Sequence, residues 1–270
     1  MAVEAGAAEA ESRLRRLASR GWAPRALTFV SLLGLLAIWW IAAGIADSRV
    51  LPAPPAVLEA LHRDAVTGEL WFNLGMTLMR VFFAFVTAMV IGSAIGIALG
   101  MSASANRFFD PWLILFLNIP ALVVIVLAYI WFGLNEVAAI GAIAVNKIPN
   151  VVVTMREGAR ALDSQLAEMA AVYRFGRAKT LRHVILPQLQ PYFAAASRSG
   201  LALIWKIALV VELLGRSNGV GFQIHLYFQL FDVAAILAYT LAFVVVMLLI
   251  EFLLVQPLEA RSTRWRPKRA

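Results

Sequence analysis

The 270-residue chain has no cysteine. Disulfides, zinc–thiolate sites, iron–sulfur clusters and thiol nucleophiles are therefore excluded. Charge is also scarce: Asp, Glu, Lys and Arg make up 15% of the residues, where a soluble domain carries about 25%. Of the charges present, 16 are acidic and 24 basic, which gives a net charge of +8. Histidine occurs three times, as His62, His183 and His225, too far apart for an HExxH pair. No GxxxxGK[ST] phosphate loop is present; Gly176-Arg-Ala-Lys-Thr imitates only its tail and lacks the Gly-Lys pair. No GxSxG elbow occurs. The chain therefore offers no metal, hydrolase or nucleotide-binding constellation. There is no long internal repeat and no low-complexity tract.

What fills the space is apolar residues, 61% of the total. A polytopic membrane protein follows from that composition. After five arginines (Arg13, Arg15, Arg16, Arg20 and Arg25), residues 27–46 run without a charge and are long enough to cross hydrocarbon. The run is longer than a signal peptide's apolar region and is read as a retained span. Pro52, Pro54 and Pro55 follow, then a short helix near 56–69. The remaining spans are expected at about 74–101, 111–132, 137–155, 191–214 and 233–255. Span 2 carries Ala84, Ala88, Gly92, Gly96 and Gly100, each four apart and so on one helix face, where small side chains let another backbone approach closely. That face is expected to pack within the subunit. Asn106 to Asp110 reads as a short turn, Pro120 as a kink in span 3, and Pro149 as a point of local unwinding in span 4. Lysine and arginine set the orientation. The N-terminus, residues 156–190 and the tail hold five, six and five of them, whereas the alternate connections hold only Arg49, Arg63 and Arg216. Both termini and the 156–190 segment are thus expected in the cytoplasm. Juxtamembrane positive charge accounts for the basic surplus, so no nucleic-acid partner is called for.

One polar stretch stands out in this apolar chain: Glu168 to Pro187, EMAAVYRFGRAKTLRHVILP. Asp163 or Ser164 suits a helix cap. Leu166, Met169, Ala170 and Tyr173 then recur at helical spacing. Leu181, Val184 and Ile185 form the apolar face of a second short helix, which Pro187 is expected to end. The same amphipathicity would suit a basic helix resting on anionic membrane lipid. The spacing goes further and resembles the EAA motif of permease subunits of bacterial ABC importers: Glu-Ala-Ala, three residues, Gly, nine residues, an aliphatic residue, any residue, Leu-Pro. Glu168 and Ala170 match the triplet, with Met169 as its middle residue, and Val184, Leu186 and Pro187 match the end. Arg174 stands where the family usually has glycine, so the turn is expected at Gly176. LPAPPAVLEAL, HVILPQLQPYF and the glycine-rich loop Gly215–Gly221 are similar to segments of the nitrate/sulfonate/taurine branch.

That resemblance implies an all-α membrane protein with the six-helix type I ABC importer permease fold. It would comprise a cytoplasmic segment 1–26, a transmembrane domain 27–256 with a coupling segment 162–187, and a basic cytoplasmic tail 257–270. It also implies a non-catalytic subunit in a bacterial inner membrane. A second copy, two ATPase subunits that bind ATP and Mg, and a periplasmic or lipid-anchored solute-binding protein would complete the transporter. Glu168, Met169, Ala170, Tyr173, Arg174, Gly176, Leu186 and Pro187 would form the ATPase-coupling element. Independently, each ionisable residue inside a span costs roughly 2.5–3.5 kcal/mol on insertion scales and faces a cavity or a partner. Lys147, Lys206 and Glu212, with Asn118, are the candidate lining of a translocation path, and the two lysines at similar depth suggest an anion; pairing of either lysine with Glu212, or snorkelling to water, is the structural alternative. Tyr129 and Trp205 are further path candidates. Arg80 and Arg198, nearer the span ends, are expected to snorkel to water. A gradient-driven carrier using Lys147, Lys206 and Glu212 is the alternative reading.

Overall fold

The computed structural model describes residues 23–46, 48 and 50–257. Arg13, Arg15, Arg16 and Arg20, and the tail beyond Pro257, lie outside the described residues. Eleven α-helices appear among the described residues: α1 (Ala23–Ala46), α2 (Pro54–Thr67), α3 (Glu69–Met101), α4 (Ala103–Asn118), α5 (Ala121–Phe132), α6 (Glu136–Arg160), α7 (Ser164–Val172), α8 (Arg177–Thr180), α9 (Leu186–Gly215), α10 (Val220–Gln229) and α11 (Val233–Ile250). Two π-helical turns, Leu181–Ile185 and Glu251–Val255, complete the chain, and no strand is present among these residues.

α3, α6, Arg177–Gly215 and Val233–Leu253 are each long and apolar enough to cross a membrane. α4 and α5 together pass the same test but meet at 93°. α1, apolar over Val30–Ala46, exposes most of its described side chains and is fastened at Trp39, whose Nε1 donates to the Pro52 carbonyl (3.1 Å).

The seam between α3 and α6 is the centre of the fold. A Cβ on Gly92 would lie 2.6 Å from Val151 Cβ, one on Gly96 2.7 Å from Met155 Cβ, and one on Gly100 2.5 Å from Ala159 Cβ. The expected small-residue stripe therefore packs within the subunit, and the rising order of both sets of numbers makes α3 and α6 parallel. Gly158 lies under the Tyr192 ring and Gly200 against the Lys147 side chain, so α9 runs antiparallel to α6. At one end of the bundle Gly100 touches Ala159; at the other Gly215 touches the Tyr129 ring. The α4–α5 pair thus carries the chain from end to end despite its bend.

Several sequence expectations need correction. Asn106–Asp110 is not a turn but part of α4, whose start is capped by Ser102 Oγ accepting from Ala105 N (3.3 Å). Pro120 makes a full break rather than a kink. Ile119 and Pro120 are both extended, as the clash of a proline with its preceding residue favours, and Pro120 supplies no N–H to continue the ladder. Pro149, by contrast, lies within a continuous α6. Pro187 does not end a helix either: Arg177–Gly215 is one helical run. The missing N–H of Pro187 is absorbed by the preceding π turn, where Leu186 N bonds to Leu181 O.

Candidate functional site

The first site is the polar stretch. Asp163 caps α7 through Oδ1, which accepts from Gln165 N (2.8 Å). Glu168 and Tyr173 are exposed, Leu166 and Met169 are partly open, and Ala170 is buried. α7 rests on the π turn Leu181–Ile185, so Ala170 leaves room for a close approach while its neighbours face outward. The helix ends in a Schellman closure: Phe175 N bonds to Ala170 O (2.8 Å) and Arg174 N to Ala171 O (3.0 Å). The left-handed residue this closure requires is Arg174, with φ 51°. Gly176 is extended (φ −65°, ψ 158°) and caps α8, so the turn expected there occurs two residues earlier, where the motif has its glycine. Lys179 Nζ lies 4.1 Å from the centre of the Phe175 ring, a cation–π contact that braces the corner. Leu186 and Pro187 are exposed on the same end of the bundle.

The second site is the opposite end, where sequence reading missed a charge cluster. Arg80 is fully buried and does not snorkel. Its Nε and Nη2 donate to the two carboxylate oxygens of Glu136 (2.8 and 2.7 Å), and Nη1 donates to Glu212 Oε1 (2.7 Å) and to the Asn218 carbonyl (3.0 Å). Nη2 also bonds to Asn218 Oδ1. Arg216 donates to Glu136 and to the Leu134 carbonyl. Glu212, itself fully buried, accepts at Oε2 from Thr77 Oγ1 and Gly221 N (both 2.9 Å). Gly219 N donates to Asn73 Oδ1 (2.7 Å) and Val220 N to Thr77 Oγ1 (2.9 Å). Two guanidinium groups meet two carboxylates, so the buried cluster is balanced, as burial of charge demands. It ties α3, α6 and α9 to the start of α10. Gly219 is left-handed (φ 107°), and a Cβ there would lie 2.4 Å from the Glu212 carboxyl carbon. Beside it, the Tyr227 hydroxyl donates to Asp64 Oδ2 (3.0 Å). Burial, with that bond, pushes the Tyr227 hydroxyl up to about 12.

The remaining path candidates are dispersed. Lys147 is 1% exposed, lies against Gly200, and has no ion-pair partner among the described residues. Lys206 is exposed and sits six residues beyond Gly200, roughly 9 Å along the helix and on another face. Glu212 pairs with Arg80 rather than with either lysine. Asn118, exposed at the end of α4, donates to Ile114 O (2.7 Å). Tyr129 and Trp205 are both buried: the Tyr129 hydroxyl donates to Val211 O (2.9 Å) and Trp205 packs edge-on to Phe243 at 5.6 Å. Arg198 pairs with Glu251 (3.7 Å). Part of the signal was present: Arg80 and Glu212 are opposite charges inside expected spans 2 and 5, while Glu136 fell in the connection just before span 4.

The described residues thus form a helical membrane bundle with a short exposed helix at one end and a closed charge cluster at the other. The chain belongs to the binding-protein-dependent transport system inner membrane components, whose family profile matches residues 88–256. It is 31% identical over 234 residues to a Bacillus subtilis (strain 168) protein assigned to aliphatic sulfonate transport, SsuC, covering 86% of this chain and 84% of that one. It is 29% identical over 246 residues to the taurine transport system permease protein TauC of Escherichia coli (strain K12), covering 88% and 89%. Its fold is similar to that of a chain in the inward-facing MetNI methionine ABC transporter, with TM-score 0.61 and 19% identity over 70% of this chain and 93% of that one. The chain is thus the non-catalytic permease subunit of an ABC importer, working with an ATPase and a binding protein in the inner membrane. A gradient-driven carrier is set aside.

Proposed function

We propose that this permease passes a small organic or inorganic anion, a sulfonate or taurine-like solute foremost, from an external binding protein to the cytoplasm. It works as a homodimer on two ATPase subunits, with both termini and α7 on the cytoplasmic side. The observation that carries the coupling role is α7 itself: a capped helix whose Glu168 and Tyr173 face outward over a buried Ala170. Leu166, Met169 and Tyr173 would fill an ATPase cleft, with Glu168, Arg174, Gly176, Leu186 and Pro187 around its rim. The anion reading is supported by Lys147, a buried amine without a counter-ion among the described residues, and by the sulfonate and taurine names of the relatives. Co-purification with the ATPase tests the coupling role: the double variant Glu168→Ala, Leu186→Ala should release the ATPase and abolish uptake. Retention with normal uptake would overturn it. The path is tested separately, by Lys206→Met and Lys147→Met: uptake should be lost with assembly and basal hydrolysis intact, and normal uptake by both variants removes the anion path.

A further inference from the structure

α7 has nine residues, too few to hold a helix or an orientation alone. Its direction must come from what grips its ends. The C-terminal end is closed by its own Schellman bonds. At the N-terminal end the Asp163 side chain is spent on Gln165 N, while the Asp163 backbone N–H points out of the helix ladder and donates to Gln188 Oε1 (2.9 Å). The same Gln188 amide donates through Nε2 to the Val184 carbonyl (2.9 Å). One side chain in the first turn of α9 thus holds the backbone of the α7 entry and the backbone of the π turn together. Four residues on, and so on the same face of α9, the Tyr192 ring lies over Gly158 in the last turn of α6, where a Cβ would approach to 2.6 Å. α9 therefore grips the α6–α7 junction twice, once by hydrogen bonds and once by a close ring contact.

We propose that Gln188 is a positioning residue of the coupling step: it makes α7 and α9 move as one body when the ATPase pair closes. The inference rests on the reading of α7 as the ATPase contact. A glutamine suits the task because its amide presents an acceptor and a donor at once, whereas a leucine of similar reach presents neither.

The absence of cysteine makes the test direct. Spin labels are placed at Gln165→Cys on α7 and Val210→Cys on α9 in the complete transporter, with unlabelled permease in excess so that each complex carries one labelled copy. Pulsed electron spin resonance then measures the separation in the resting state and with Mg-ATP and vanadate. With Gln188 intact, a single narrow distance should persist through both states. In Gln188→Leu the distance should shift or split on vanadate trapping, with the ATPase still bound and hydrolysing. Gln188→Glu keeps an oxygen for Asp163 N–H but loses the donor to Val184 O, and should give a distribution between those of the parent and Gln188→Leu. A Gln188→Leu distance as narrow and fixed as the parent's would overturn the proposal, as would a parent distance that itself shifts on trapping. Failure of the coupling role of α7 shows elsewhere, in co-purification of the Glu168→Ala, Leu186→Ala variant.

Discussion

Arg174 occupies a left-handed backbone position at a helix end, with φ 51°. A side chain there costs roughly 1–2 kcal/mol that glycine does not incur. Arg174→Gly should therefore raise the stability of the α7–α8 corner by about 1 kcal/mol, read as slower amide exchange over residues 164–176. The sequence pointed to Gly176 because glycine is the usual left-handed residue. The structure overrides that preference: the closing bonds fall on Ala170 and Ala171, and residue 174 takes the left-handed position despite its side chain. A second residue-scale test concerns Lys147 and Gly200. A Cβ at Gly200 would lie 2.4 Å from Lys147 Cε, the end of a long side chain. Gly200→Ala should displace the lysine and depress uptake. In a double-mutant cycle with Lys147→Ala, stability loss from Gly200→Ala should largely vanish, because the crowded partner is gone.

Between elements, the α3–α6 seam meets backbone as well as side chains. A Cβ at Gly96 would lie 2.7 Å from the Val152 carbonyl oxygen, which cannot rotate away. Gly96→Val should cost about 1–3 kcal/mol, as overpacking does, and lower the midpoint of thermal unfolding in detergent. The stripe on α3 was legible because five small residues four apart are an unusual pattern. Its partner face was not: Val151, Met155 and Ala159 are ordinary residues in an apolar run. The prolines show the same limit. Pro120 and Pro149 look alike in sequence, yet Pro120 breaks the chain and Pro149 does not. α6 is clasped by α3 and α9, while the α4–α5 pair exposes Phe116, Leu117, Leu122 and Val123 around its break.

At the scale of the molecule, Arg80 on α3 bonds to partners 56 to 138 positions away, in α6, in α9 and in the loop before α10. No periodicity encodes such pairs, so Arg80 read as a snorkelling residue, and only the fold brings Glu136 and Glu212 to it. Four of the six expected spans, a fifth as the bent α4–α5 pair, and the parallel course of α3 and α6 were recoverable from hydrophobic length and order, whereas α1, apolar only over Val30–Ala46, falls short of the span expected at 27–46. Arg80→Gln removes the cation from two carboxylates and should cost about 3–5 kcal/mol, the usual loss when one member of a buried pair goes. Adding Glu212→Gln should recover part of that loss in the same unfolding assay. The uninterrupted run Arg177–Gly215 carries a geometric consequence of its own. Its 39 residues reach at most about 58 Å, nearly twice the roughly 30 Å of bilayer hydrocarbon. A tilt of only ~5° about one end of such a rod sweeps the other end through ~5 Å, one helical turn's rise. Were the ATPase to meet the Arg177 end, as proposed, a tilt of that size would carry the Gly215 end through about one turn's rise without any helix unwinding.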